Sequence, residues 1–211
     1  PGLHGWLPMV YATAPAVAVA VLSGPMMKAG LLGWLRFLPA GGADEIATTA
    51  LTLLGTAGVL LGVGVGLMQR SPGALLGYSS IAKMGLMSAL FAAALASPQA
   101  APAMLAALTL LALHHLVVKS TFFLGVAEWR RRGAAPLVLA GMLVLASTMV
   151  AVPFSGGAAV KAALGEAFDA PLSWLLTLSA VGTTLLMVRL WLLLRRRSAR
   201  QGDVDGATLL W

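Results

Sequence analysis

The chain has 211 residues, 59% of them hydrophobic and only 10% charged, with a mean hydropathy of +0.91. Soluble domains carry about 25% charged residues, so an ordinary soluble fold is excluded and an all-α integral membrane protein is indicated. The net charge of +7 does not mark a nucleic-acid binder, because the arginines stand at the ends of apolar runs instead of forming a basic patch interleaved with aromatics.

With no cysteine, the chain supplies no disulfide and no cysteine-ligated iron–sulfur cluster or zinc. Three histidines are too few for much of a metal site, and no dinucleotide fingerprint occurs. No cofactor is expected in this chain, and a catalytic redox subunit finds no support. The chain starts at Pro1 with no signal-peptide pattern ahead of its first span; a fragment, a processed product and one half of a split protein all fit.

In chain order, residues 1–13 read as a cytoplasmic interfacial lead, with His4, Trp6 and Tyr11 at the membrane–water boundary. A first span covers 14–38 and is closed by Arg36 and Pro39. Inside it Pro25 removes a hydrogen bond to the Val21 carbonyl, which predicts a kink about one turn from Lys28. After the acidic loop Gly41 to Glu45, a second run from Ile46 to Gln69 is rich in glycines that allow close helix approach. These glycines are no phosphate loop, since no Lys–Ser/Thr pair follows them. The third run, Gly73 to Ala96, holds Tyr78, Ser79, Ser80 and Lys83.

The fourth run starts near Ala101 and contains Leu110 to Arg132, with His114, His115 and Lys119 at mid-depth. His115 and Lys119 are four residues apart and so share one helix face. A fifth run from Ala134 is interrupted near 153–157 by Pro153, Phe154, Ser155, Gly156 and Gly157, then resumes through Lys161. Proline beside paired glycines predicts a discontinuous helix, which a bilayer tolerates only where protein or a water-filled cavity covers the bare backbone. The sixth run, Leu172 to Leu194, precedes a cytoplasmic tail over 195–211. Each run supplies the roughly 20 apolar residues that a crossing needs, giving six spans with one broken.

Threading the six spans alternately places Arg70, Arg130 to Arg132 and the Arg195 to Arg200 group on one side. Asp44, Glu45, Glu166 and Asp169 fall on the other, with Arg36 alone against the pattern. Loops rich in Lys and Arg face the cytoplasm, so both termini are expected inside. Glu128, beside Trp129 and the arginine run, reads as an interfacial ion-pair partner.

All four lysines, Lys28, Lys83, Lys119 and Lys161, lie inside predicted spans, whereas the arginines lie at or near span ends. Arginine stays charged in any site, while a buried lysine can lose its proton. A cation at mid-membrane costs about 3 kcal/mol on insertion scales, which makes each such lysine a functional-site candidate. Lys28 and Lys119 sit about 13 Å or more from a span end, beyond a side-chain reach of about 6 Å. For Lys83, snorkelling and inward placement both fit. Lys161 follows the helix break, where a cavity is expected. His114 fits a packing hydrogen bonder or a relay; for His115, stacked on Lys119, the relay is favoured.

The motifs that carry these residues resemble one family. His4 to Pro8, Ala14-Pro15, Leu22 to Gly30 and Arg36 to Pro39 resemble the "HxWLP…AP…LSGxxxKxGxYGLLRF" stretch of antiporter-like subunits. Such subunits occur in complex I (proton-pumping NADH:quinone oxidoreductase), Mrp-type cation/proton antiporters and membrane-bound hydrogenases. Gly77 to Ile81 with Gly85 is similar to their "AYSSIxxxG", His115 to Gly125 to "HxxxKxxLFLGxG", and Pro153 to Lys161 to the broken-helix "PPxSGFxxK".

The resemblance implies one five-helix repeat plus one preceding helix, the first repeat being absent from this chain. It also implies a proton path in which Lys28 is the connecting lysine, His115 and Lys119 the mid-helix relay, and Lys161 the terminal lysine at the broken helix; His114 and Lys83 are further candidates. It places the chain in a bacterial inner membrane as a subunit not catalytic alone, beside other membrane subunits and a chain holding the missing repeat. The alternative is a structural or assembly subunit with an incomplete ion path. The chain departs from the family pattern at Pro25, where an aliphatic residue is usual, at Lys83, and at Phe154 and Gly157-Ala158 of the broken-helix motif.

Overall fold

The computed structural model describes residues 5–38, 44–133, 135–168 and 170–208, with only the backbone described for 170, 171 and 196–208. His4, Pro39, residues 40–43, Ala134, Asp169 and 209–211 lie outside the described residues. Hydrocarbon offers the backbone no hydrogen-bond partners, so a chain this apolar must satisfy its N–H and C=O groups internally. Among the described residues it does so entirely with helices, without a strand.

The helices are α1 (Trp6–Thr13), α2 (Ala16–Val21), α3 (Met27–Phe37), α4 (Glu45–Met68), α5 (Pro72–Ala96), α6 (Ala101–Arg132), α7 (Pro136–Met149), α8 (Gly156–Ala167) and α9 (Ala170–Thr208). A π-helical turn, Leu22–Met26, joins α2 to α3, so the three pieces form one span of 22 residues. Among the described residues, five helical segments are long and apolar enough to cross a membrane, and α7 is a shorter apolar helix. The chain is a multi-pass membrane protein.

Helix ends follow local chemistry. Asp44 caps α4 by accepting from the Ile46 N–H, and Glu45 adds a negative charge where the helix dipole is positive. Pro72 opens α5 at a position whose N–H has no helical partner. Arg130, Arg131 and Arg132 close α6 at its negative end, and Gly133 follows at φ 65°. Glu128 pairs with Arg131 at 2.9 Å and with Arg132 at that exposed end.

Two local findings go beyond the sequence reading. The lead over 1–13 is expected at the interface, yet its described part is a two-turn helix with Leu7 and Tyr11 buried. Its backbone lies against Gly73 and Gly77 of α5, and the Tyr11 ring meets Phe123 edge-on at 4.9 Å. Only Trp6 and Met9 among its large apolar side chains face outward. Pro25, expected to kink its span, sits within a widened π turn. A proline cannot donate, and one extra residue in the turn accommodates the missing bond.

α5 is the centre of the bundle: 72% of its most apolar window is buried, against 22% for α4. α4 nevertheless touches α5 backbone to backbone. A Cβ built on Gly55 would lie 2.6 Å from the Gly85 carbonyl oxygen, and one on Gly62 would lie 2.6 Å from the Ala82 nitrogen. Lipid is as apolar as leucine, so such close van der Waals contact is what holds α4 in place. Gly62→Leu is expected to force the pair apart and to cost about 3 kcal/mol, read as a lowered thermal midpoint in detergent.

Buried apolar residues divide into two clusters. One takes Leu75 and Leu76 of α5, Phe122 to Trp129 of α6 and Leu186 to Leu194 of α9. The other takes Leu86 to Leu95 of α5, Met104 to Ala112 of α6, Val160 to Phe168 and Leu175. The first cluster lies on the side of the arginines. There Trp129 and Trp191 meet at 5.5 Å, Arg195 covers Trp191, and Arg189 reaches the Gln69 carbonyl at 3.4 Å. The buried polar residues Ser23, Lys28, Ser79, Ser80, His115, Lys119, Ser179 and Thr183 fall between or beside the two clusters.

Candidate functional site

A helix that buries lysine must bring it a partner, because an ammonium without one in an apolar medium is strongly destabilising. Each of the three inward lysines meets an oxygen. Lys119, with no exposed surface, donates from Nζ across the helix interface to the Leu76 carbonyl oxygen of α5 at 2.9 Å. Ser80, four residues on, turns its hydroxyl back onto the same oxygen at 3.1 Å and marks a locally polar stretch of α5.

Lys28 donates to the Ser23 carbonyl oxygen at 2.7 Å, within the π turn. One turn before the π turn, the Ala20 oxygen accepts from two hydroxyls, Ser120 at 2.8 Å and Ser23 at 3.3 Å. Gly24 permits this, since a Cβ there would overlap Ser120 Oγ. The π turn is therefore clamped to α6 one residue beyond Lys119.

Lys83 is half-buried and donates to Ser179 Oγ of α9 at 3.1 Å, so it turns inward instead of snorkelling. Its remaining surface lines a cavity of about 230 Å³ between α5, α6, the α7–α8 break and α9. His114, His115 and Lys161 line the same cavity. His115 is 2% exposed and neither ring nitrogen has a hydrogen-bond partner; Nε2 of half-buried His114 also has none. His115 and Lys119 share a face as the spacing predicts, but no hydrogen bond joins them.

His115 stands one turn from Lys119 and lines the cavity with His114 and Lys83, while the turn that holds Lys28 lies against Ser120, next to Lys119. The structure thus gathers Lys28, Lys119, His115, His114 and Lys83 into one basic zone. Lys161 stands apart at its margin, exposed on α8. None of the cavity-lining residues is Asp or Glu. Among the described residues, no group of three His, Cys, Asp or Glu side chains could hold a metal ion.

The helix break begins earlier than the motif indicates. α7 ends at Met149, and residues 150–155 are non-helical, with Ala151 at φ 58° and Phe154 at φ 66°. Pro153 and Ser155 lie in the break; Gly156 and Gly157 are the first residues of α8. Ser155 caps α8 by accepting from the Ala158 N–H at 3.3 Å. The partners that sequence reading misses are Ser120, Ser179 and the Leu76 carbonyl. Ser179 carries no local signal, being one hydroxyl in a long apolar run, whereas Ser120 stands next to Lys119.

Comparison with known proteins gives these motifs a family. Residues 2–187 match the model described as "NADH:quinone oxidoreductase/Mrp antiporter, TM". The chain is 30% identical over 185 residues to formate hydrogenlyase subunit 3 of Escherichia coli, covering 79% of this chain and 30% of that one. It is 31% identical over 172 residues to NADH-quinone oxidoreductase subunit N of Cereibacter sphaeroides, covering 77% and 38%. A probable K(+)/H(+) antiporter subunit of Rhizobium meliloti is 29% identical over 167 residues, covering 73% and 16%. The chain therefore spans well under half the length of these relatives. With its all-helical bundle and a match along nearly its whole length, the chain belongs to the NADH:quinone oxidoreductase/Mrp antiporter transmembrane family.

Proposed function

We propose that this chain carries one half-channel of an ion-translocating membrane complex, moving protons, or exchanging a cation for protons, along Lys28, His115, Lys119 and Lys161, with His114 and Lys83 on the same route. The observation that carries this reading is the carboxylate-free basic zone, in which Lys119 is fully buried yet held only by a neutral carbonyl oxygen. A lysine locked by a carboxylate keeps its proton; one held by a carbonyl can release it when a neighbouring charge changes. His115, one turn from Lys119 on the same helix and beside Lys83 on the same cavity, would carry such a change between them.

The relatives include, by name, one component of an NADH-quinone oxidoreductase and one of a K(+)/H(+) antiporter, which supports ion movement within a multi-subunit membrane assembly. A partner chain would supply the missing first repeat and cover Lys161, whose ammonium has no stable place against lipid. The arginine-rich side, where the α4–α5 turn and the ends of α6 and α9 meet, would face the cytoplasm of a bacterial inner membrane.

Lys161 gives the direct test, since its exposure leaves room for a larger side chain. With the assembled complex in vesicles and a pH-sensitive dye inside, both Lys161→Ala and Lys161→Arg are expected to lose proton uptake, because arginine keeps its charge at every working pH. Wild-type uptake by both variants would instead favour a structural or assembly role.

A further inference from the structure

The cavity between α5, α6, the α7–α8 break and α9 is lined by lysine and imidazole side chains and by no carboxylate. Lys83 spends one of three N–H groups on Ser179. His115, almost wholly buried, and Nε2 of His114 engage nothing. At the α7 terminus the Ala146, Thr148 and Ser147 carbonyls accept from the N–H groups of Val150, Ala151 and Val152. The opposing end is the start of α8, with Gly157 in the cavity wall and the His114 ring against Gly156. α8 begins at this wall, so the partial positive charge of its first turn lies beside the cavity.

We propose that the cavity binds a monovalent anion of the halide class, held between Lys83, His114 and the first turn of α8. Positive potential comes from Lys83, Lys161 and a helix N-terminus, the two imidazoles add N–H donors, and the lining residues contribute no carboxylate to balance the charge. One negative charge at this place would accept from an imidazole N–H and from a free donor of Lys83 together. The rest of the wall is largely aliphatic, including Leu86, Leu111, Val160, Leu164 and Leu176, and offers a second charge no solvation, which selects against divalent anions. Binding of this kind does not depend on whether protons cross.

Bromide is the probe. The chain with its native partner subunits, in lipid nanodiscs and gluconate buffer without a gradient, is titrated with bromide by calorimetry, and bromide-exchanged crystals are tested for anomalous scattering. One site is expected, with its anomalous peak in this cavity. Lys83→Met is expected to weaken bromide at least tenfold; should that variant fail to assemble, His114→Leu is expected to do the same. Arg131→Gln, which removes an exposed cation outside the cavity, should leave the affinity unchanged. No peak in the cavity after full exchange, or an affinity that neither cavity variant lowers, would overturn the proposal. Because no transport is measured, loss of proton uptake in another variant has no bearing on the outcome.

Discussion

Lys119→Met is expected to stop proton movement by the assembled complex while leaving the amount and subunit composition of the complex unchanged. Methionine is close in volume to lysine and fills the same fully buried space without charge. Removing the ammonium takes away a group whose desolvation opposes folding, and it leaves no acceptor stranded, because Ser80 Oγ still donates to the Leu76 oxygen. Stability should therefore change by no more than about 1 kcal/mol. Transport should fall by about 100-fold, the low end of what a positioned proton-transfer group contributes. Dye quenching in vesicles reads the transport, and thermal denaturation of the same preparation reads the fold. Wild-type quenching with Met at 119 would remove this lysine from the path.

Gly157→Ala should give the opposite pattern, with loss of folded protein preceding any effect on transport. A Cβ at 157 would overlap the Thr148 carbonyl oxygen and lie 3.2 Å from the Ala151 Cα. Neither obstacle is the flexible end of a side chain. Thr148 is tied by its carbonyl to the Ala151 N–H at 3.3 Å, and Ala151 already holds a left-handed conformation that costs a non-glycine residue about 1 kcal/mol. A cost of about 3 kcal/mol is expected, enough to deplete the assembled complex. Gly165→Ala on the same helix is the matched control, since a Cβ there meets nothing within 4 Å, and it should be neutral or slightly stabilising. Equal thermal midpoints for the two variants would show that the break yields easily.

Legibility in the sequence follows the range of the interaction involved. The spans are readable because length and apolarity are local properties, and the broken fifth span is readable from Pro153 beside Gly156 and Gly157. Its true start is hidden, since Ala151 and Phe154 adopt positive φ without being glycines. Helical spacing puts His115 and Lys119 on one face, a matter of period alone. What lies opposite each lysine is not readable: Leu76 is 43 residues from Lys119, and Ser179 is 96 residues from Lys83. Tyr11 misleads because an amphipathic ring serves a membrane interface and a helix interface equally well. Lys161 groups with the inward lysines on the strength of its motif, while its exposure depends on how α8 sits against the other helices.

The two apolar clusters carry a consequence for leakage. Each is tightly packed, one of them around Trp129, Leu190 and Leu194 and the other around Leu90, Leu95 and Leu108. Under the proposed half-channel these two clusters would be insulating plugs above and below the lysines. Exits would then have to run sideways, toward a neighbouring chain.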